Sequence, residues 1–154
     1  QPLFVPAKTT DTNAVSYSAR GTKYGDVVRT SDRAITTDRS KNTGGKGQGV
    51  TSTGLYMSAL AVSCSQAVRE AAKGMQLDDV RVEVNHNGDG TFTRLITLYG
   101  DLTDDEVETL RAAGAASTVD GYVEKGEIET TAETASLERR RRQNKLHRAE
   151  RLGK

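Results

Sequence analysis

The stretch "LYMSALAVSCSQAVREAAKGMQL", residues 55–77, decides how this chain is read, because it combines one long helical pattern with the only cysteine. Its first half is apolar or small at almost every position: Leu55, Tyr56, Met57, Ala59, Leu60, Ala61 and Val62. A helix that is hydrophobic all round is one that is buried all round. Polarity returns at Gln66, Arg69, Glu70 and Lys73, and Gly74 is a good C-terminal stop. The pattern predicts a helix over residues 53–73. Cys64 within it has two readings. Among Ala, Val and Ser a cysteine is ordinarily a small hydrophobe. It becomes a nucleophile only where a cation lowers its pKa and the thiol is reachable.

Working outward, "DDVRVEVNHN" (78–87) and "TFTRLITLYG" (91–100) alternate apolar and polar residues around "NGDG", which predicts a β-hairpin. "NHNGDGTF" also resembles the start of a calcium loop. Counted from Asn85, however, the twelfth position is Ile96, where that loop needs a bidentate Glu, so the turn is preferred. "DLTDDEVETLRAAG" (101–114) begins a second helix: Thr103 is the cap, and Glu106 completes a capping box. Leu102 and Val107 are placed as a hydrophobic staple, and Val107, Leu110 and Ala113 form the expected buried stripe.

Upstream, "AVSYSAR" (14–20), "DVVRTS" (26–31) and "RAITTD" (33–38) read as short strands separated by turn chemistry, a meander. "DRSKNTGGKGQGVTSTG" (38–54) is polar and Gly-rich. A phosphate-binding loop needs Gly-Lys followed by Ser or Thr; here Gly45-Lys46 is followed by Gly47, so a flexible connection is expected instead. "GEIETTA" (126–132) is expected to be a last short strand. Strands joined mainly by hairpins, interrupted by two helices, give an α+β fold with antiparallel sheet.

Composition limits the function classes. A chain of 154 residues holds about one domain and one core. A single Cys excludes an internal disulfide framework and a multi-thiolate zinc site, and it suits a reducing compartment. No metal and no cofactor are expected. The longest apolar run, Leu55 to Cys64, falls short of the ~20 residues that span a bilayer. The chain opens on Gln1 and its first residues lack the order of a signal peptide, so the expectation is a soluble, cytoplasmic protein with no membrane partner. Charge is uneven. Residues 137–154, "LERRRRQNKLHRAERLGK", carry eight Lys and Arg against two Glu, a balance of +6, which leaves −5 on the rest of a chain that totals +1. The segment has no interleaved aromatics, so a solvated helical extension is preferred to a nucleic-acid site. The expected organisation is a domain over 1–136 and a basic helical extension over 137–154.

The stretch "GLYMSALAVSCSQAVREAAKGMQLDDVRVEV" (54–84) resembles the central helix and following strand of the OsmC/Ohr family of thiol-dependent peroxidases. "TTDRSKNTGGKGQGVTSTGLYMSAL" before it and "LITLYGDLTDDEVETLRAAG" after it are similar to the flanking elements in the same order, and the resemblance spans residues 14 to 131. It implies an OsmC-like fold, two interlocked subunits with antiparallel sheets around buried central helices. It places Cys64 at the peroxidatic position. It puts Ser117 at the position of the resolving cysteine, with Thr118 for the family's Pro. Gly54 stands where the family has a glutamate, and Thr53 where it has a Pro. The family's arginine lies near the first hairpin, which makes Arg20 the first candidate and Arg29 the second. The implied activity is reduction of organic hydroperoxides in oxidative-stress defence, by one cysteine and an external thiol or dithiol reductant. The alternative is a non-catalytic homodimer that binds a small molecule or a partner.

Overall fold

The computed structural model describes residues 8–136, 145, 146 and 148–153. It is α+β with antiparallel sheets, and the chain forms two compact units.

The first unit contains the meander: β1 (Ala14–Ser18), β2 (Asp26–Thr30) and β3 (Arg33–Thr37), ordered β1-β2-β3. Ser31 and Asp32 join β2 to β3 with φ of 49° and 53°. Positive φ at both central residues is the geometry that matches the twist of a hairpin. Ser and Asp sustain it through side-chain bonds: Ser31 Oγ donates to Asp11, and Asp32 Oδ1 accepts from Arg29 at 3.0 Å. The Gly-rich segment is ordered rather than merely flexible. Buried Asp38 accepts backbone N–H bonds from Arg39, Lys46 and Gln48, which wraps residues 39–48 around its carboxylate. Burial pushes this carboxyl up, but the three N–H bonds outweigh it and hold it below the usual range. Residues 137–144 of the basic segment lie outside the described residues, whereas 145, 146 and 148–152 are helical.

The second unit holds α1 (Ser52–Ala71), the hairpin β4 (Gln76–His86) and β5 (Phe92–Asp101), α2 (Asp104–Ala115) and α3 (Thr118–Lys125). On the hairpin, Val82 faces Ile96 and Val80 faces Leu98. A register shift between Leu77 and Asp79 flips the alternation, so Leu77 joins Val80 at the core although an odd number separates them. Cys64, Val68 and Ala72 of α1 and its exit pack with Leu110 of α2 as the buried centre. No helix among the described residues is long and apolar enough to cross a membrane.

Three expectations are corrected. Val107 is 42% exposed, so the buried face of α2 runs through Leu110 and Gly114. The Thr103–Glu106 capping box does form, and it orients the helix one turn before the buried face begins. Second, α1's apolar first half is not covered all round within this unit, for Tyr56 is 40% and Val62 54% exposed. Third, residues 126–132 form no strand. Ile128, their only large apolar residue, is 90% exposed, and without a neighbouring strand their N–H and C=O groups gain nothing from extension. The preceding residues form α3 instead, started by a Ser117–Asp120 capping box and stopped by Gly126 at φ 61°.

Candidate functional site

Cys64 lies midway along α1 with no exposed surface. What surrounds it follows from the alternation of β5. Phe92, Arg94, Ile96 and Leu98 share one face, and three of them are apolar, so Arg94 carries a charge onto the core-facing side. The guanidinium is held by what its planar fork can reach. Nη1 donates to the Leu60 carbonyl at 3.3 Å; Nη2 donates to the Gly114 carbonyl at 3.2 Å and to Asp120 Oδ2 at 3.0 Å. Arg94 and Asp120 are 18% and 23% exposed, a pair mostly withdrawn from water. Asp120 Oδ2 also accepts from the Ser117 backbone N–H at 3.1 Å and from Ser117 Oγ at 2.7 Å. Burial raises the Asp120 carboxyl, and the bonds from Ser117 and Arg94 overcome it, so it stays below the ordinary carboxylate range.

The thiol answers to its burial and to both charges. Burial pushes Cys64 above the usual thiol range; the Arg94 charge draws it down, and the Asp120 charge pushes it up again. The backbone of α2 comes close to it: a Cβ built on Gly114 would stand 2.9 Å from Cys64 Sγ, so only glycine lets this helix approach so near.

A cleft of about 310 Å³ lies beside this cluster. Tyr56 and Leu60 of α1, Val84 and Phe92 of the hairpin, and the Arg94–Asp120 pair line it. Tyr56 and Phe92 rings meet at 5.3 Å, and Phe92 stacks on His86 at 4.8 Å, an aromatic wall at the far end of the hairpin. Leu60 is buried and Tyr56 exposed, so the cleft runs from solvent inward along one side of α1.

Of the residues read from the sequence, the second unit brings together Cys64 and Ser117, through Asp120 and Arg94. Ser117 is buried and serves as the N-cap of α3, and Val119 N–H donates to Ser63 Oγ beside the cysteine at 3.1 Å. Gly54 lies in the first turn of α1, where its carbonyl accepts from Ser58 Oγ. Arg20 and Arg29 belong to the first unit: Arg20 is exposed after β1, and Arg29 on β2 pairs with Asp32. Sequence reasoning missed Arg94 and Asp120. Both carried a signal. Arg94 breaks an apolar alternation, and Asp120 sits three residues after a capping serine. Among the described residues no group of three His, Cys, Asp or Glu is arranged to hold a metal ion.

A central helix carrying a cysteine, with an antiparallel hairpin and two capped helices behind it, is the OsmC-like fold. The chain is similar to a protein from Psychrobacter arcticus named as an osmotic stress induced and detoxification response protein. That match has a TM-score of 0.59 and 17% identity, and covers 76% of this chain and 89% of that one. It is similar to an OsmC-like protein from Mycoplasma pneumoniae, with a TM-score of 0.59 and 13% identity over 73% of this chain and 86% of that one. A third is an organic hydroperoxide resistance protein OsmC from Legionella pneumophila, with a TM-score of 0.50 and 19% identity over 72% and 87%. At these identities the shared property is the fold. No family model matches the sequence, and a search of curated proteins gives no match.

Proposed function

We propose that the protein is a member of the OsmC/Ohr family that keeps the family's cysteine position and the cleft beside it, and that it binds small, largely apolar organic molecules there without reducing them. The observation that carries this reading is the state of Cys64. It is fully buried in an apolar cluster and its thiol is pushed up, the reverse of an activated nucleophile. The groups around it are already engaged. Ser117 caps α3 and cannot form a disulfide, Gly54 offers no carboxylate, and Asp120 offsets the Arg94 charge. The cleft, by contrast, has the size of a small-molecule site, with aromatic and aliphatic side chains on one side and the Arg94–Asp120 pair on the other.

The peroxidase reading is favoured by one specific observation: Arg94 acts on Cys64 in the direction that lowers its pKa. In that reaction the Cys64 thiolate attacks the distal oxygen of ROOH. An S–O bond forms, the O–O bond breaks, the alkoxide takes a proton and leaves as alcohol, and the sulfur becomes a sulfenic acid. An external thiol then reduces it, since Ser117 cannot condense with it. Arg20 and Arg29 are the further candidate cations.

Two copies forming a homodimer fits both readings, because Val62 on α1 is exposed apolar surface that a second chain would bury. A reducing cytoplasm suits the unpaired thiol.

The readings separate on thiol chemistry. Alkylation of Cys64 by iodoacetamide, followed against pH, is expected to show no inflection below the ordinary thiol value of about 8.5. With cumene hydroperoxide and a dithiol, peroxide is expected to disappear no faster than without protein. An inflection near neutrality with saturable peroxide consumption overturns the binding reading in favour of catalysis.

A further inference from the structure

The cleft beside α1 joins two kinds of surface. Tyr56, Leu60, Val84 and Phe92 supply an apolar side, and Gly90 and Thr91 lie at the hairpin turn beside it. Its inner end is the Arg94–Asp120 ion pair. At about 310 Å³ it has twice the volume of the ~150 Å³ apolar cavity that accepts benzene. One ring with a short substituent fits.

The pair at the inner end determines which substituent. A guanidinium has five N–H donors. Three are used, on the Leu60 carbonyl, the Gly114 carbonyl and Asp120 Oδ2. Two remain without an acceptor among the described residues. Asp120 receives all its bonds on Oδ2, from Arg94 and twice from Ser117, so Oδ1 has no donor among the described residues. Both residues line the cleft, so the pair has donors and an acceptor to spare for a ligand there, and it carries no net charge. An anionic head would gain Arg94 and meet the Asp120 carboxylate; a cationic head would gain Asp120 and meet the guanidinium. Either brings an unmatched charge into a site largely withdrawn from water, which is costly. A neutral head with a donor and an acceptor on neighbouring atoms pairs with both.

We infer that the cleft is a binding site for neutral one-ring organic compounds bearing a donor–acceptor head, of which a primary amide is the simplest. This deepens the binding reading proposed above and rests on it. The ring lies against Tyr56 and Phe92, the carbonyl accepts from Arg94, and the amide N–H donates to Asp120 Oδ1.

The test uses the full chain and three probes of one shape: benzamide, benzoate and benzylammonium, titrated at neutral pH and followed by chemical-shift changes of Leu60, Val84 and Phe92. Benzamide is expected to saturate the shifts, with both charged probes binding at least about tenfold more weakly, one unmatched charge being worth that much or more. In Asp120→Asn the Arg94 charge is no longer offset, and the order is expected to shift toward benzoate by about tenfold or more. Asn at 120 keeps an oxygen to accept from the Ser117 N–H, and the unmodified protein carries the test by itself should this variant fold poorly. Benzoate or benzylammonium binding as tightly as benzamide to the unmodified protein overturns the assignment while leaving a binding cleft. Failure of all three probes to move those resonances overturns the binding reading as well.

Discussion

Gly114→Ala gives the sharpest test of how α2 approaches the cysteine. The added Cβ would stand 2.8 Å from Ile96 Cδ1, 2.9 Å from Cys64 Sγ and 3.0 Å from Val68 Cγ2. Two of these neighbours, Cys64 and Val68, have no exposed surface, so neither can swing aside into solvent. Overpacking a closed core costs about 1–3 kcal/mol, and three simultaneous overlaps place this site at the upper end. Gly114 is the penultimate residue of α2, so replacing it returns at most about 1 kcal/mol of helix propensity. The balance is a loss of about 2 kcal/mol, a fall in melting temperature of about 4–8 °C for a chain of this size. Chemical denaturation is expected to show a lower midpoint with an unchanged slope, since the surface exposed on unfolding is the same. Cys64→Ala removes one of the three overlapping atoms, so the double variant is expected to lose less than the two single losses together, by about 1 kcal/mol. A Gly114→Ala protein as stable as the parent, or more so, would show that α2 does not press on Cys64 and would refute the packing described for the site.

Three further outcomes are expected. Cys64→Ser places a hydroxyl where the thiol has no exposed surface, and is expected to cost about 1–3 kcal/mol in a thermal melt; an unchanged melting point would speak for a polar, reachable thiol. Asp120 has a folded pKa below its unfolded value of about 3.9, so its stabilisation is complete well above that value and is lost as the pH falls through it toward the folded pKa. Asp120→Asn should therefore flatten the acid limb of the stability curve below about pH 5, and an identical limb in both proteins would contradict the Arg94–Asp120–Ser117 linkage. Light scattering is expected to give about twice the chain mass of 16.6 kDa, and a monomer at micromolar concentration would remove the proposed dimer.

Much of the fold was legible because it is written in interactions between near neighbours. The meander follows from β-branched runs between turn residues, the hairpin from alternation around "NGDG", and α2 from a cap and its partner three residues on. Each needs only contacts a few residues away, and each formed within a residue or two of the pattern. The strand expected at 126–132 shows the limit of that logic, for a strand is a property of a pair, and no local pattern supplies the partner. The site shows it more plainly. That residue 64 is a cysteine, and that it lies on the central helix, are facts of sequence. Whether it is a nucleophile depends on charges brought to it from far along the chain. Arg94 and Asp120 are 26 residues apart and meet only because β5 and α3 both pack against α1. A pKa is set by burial and by the distance to neighbouring charges, and both are properties of the packed core. The tertiary structure alone decides that the arginine beside Cys64 arrives already paired.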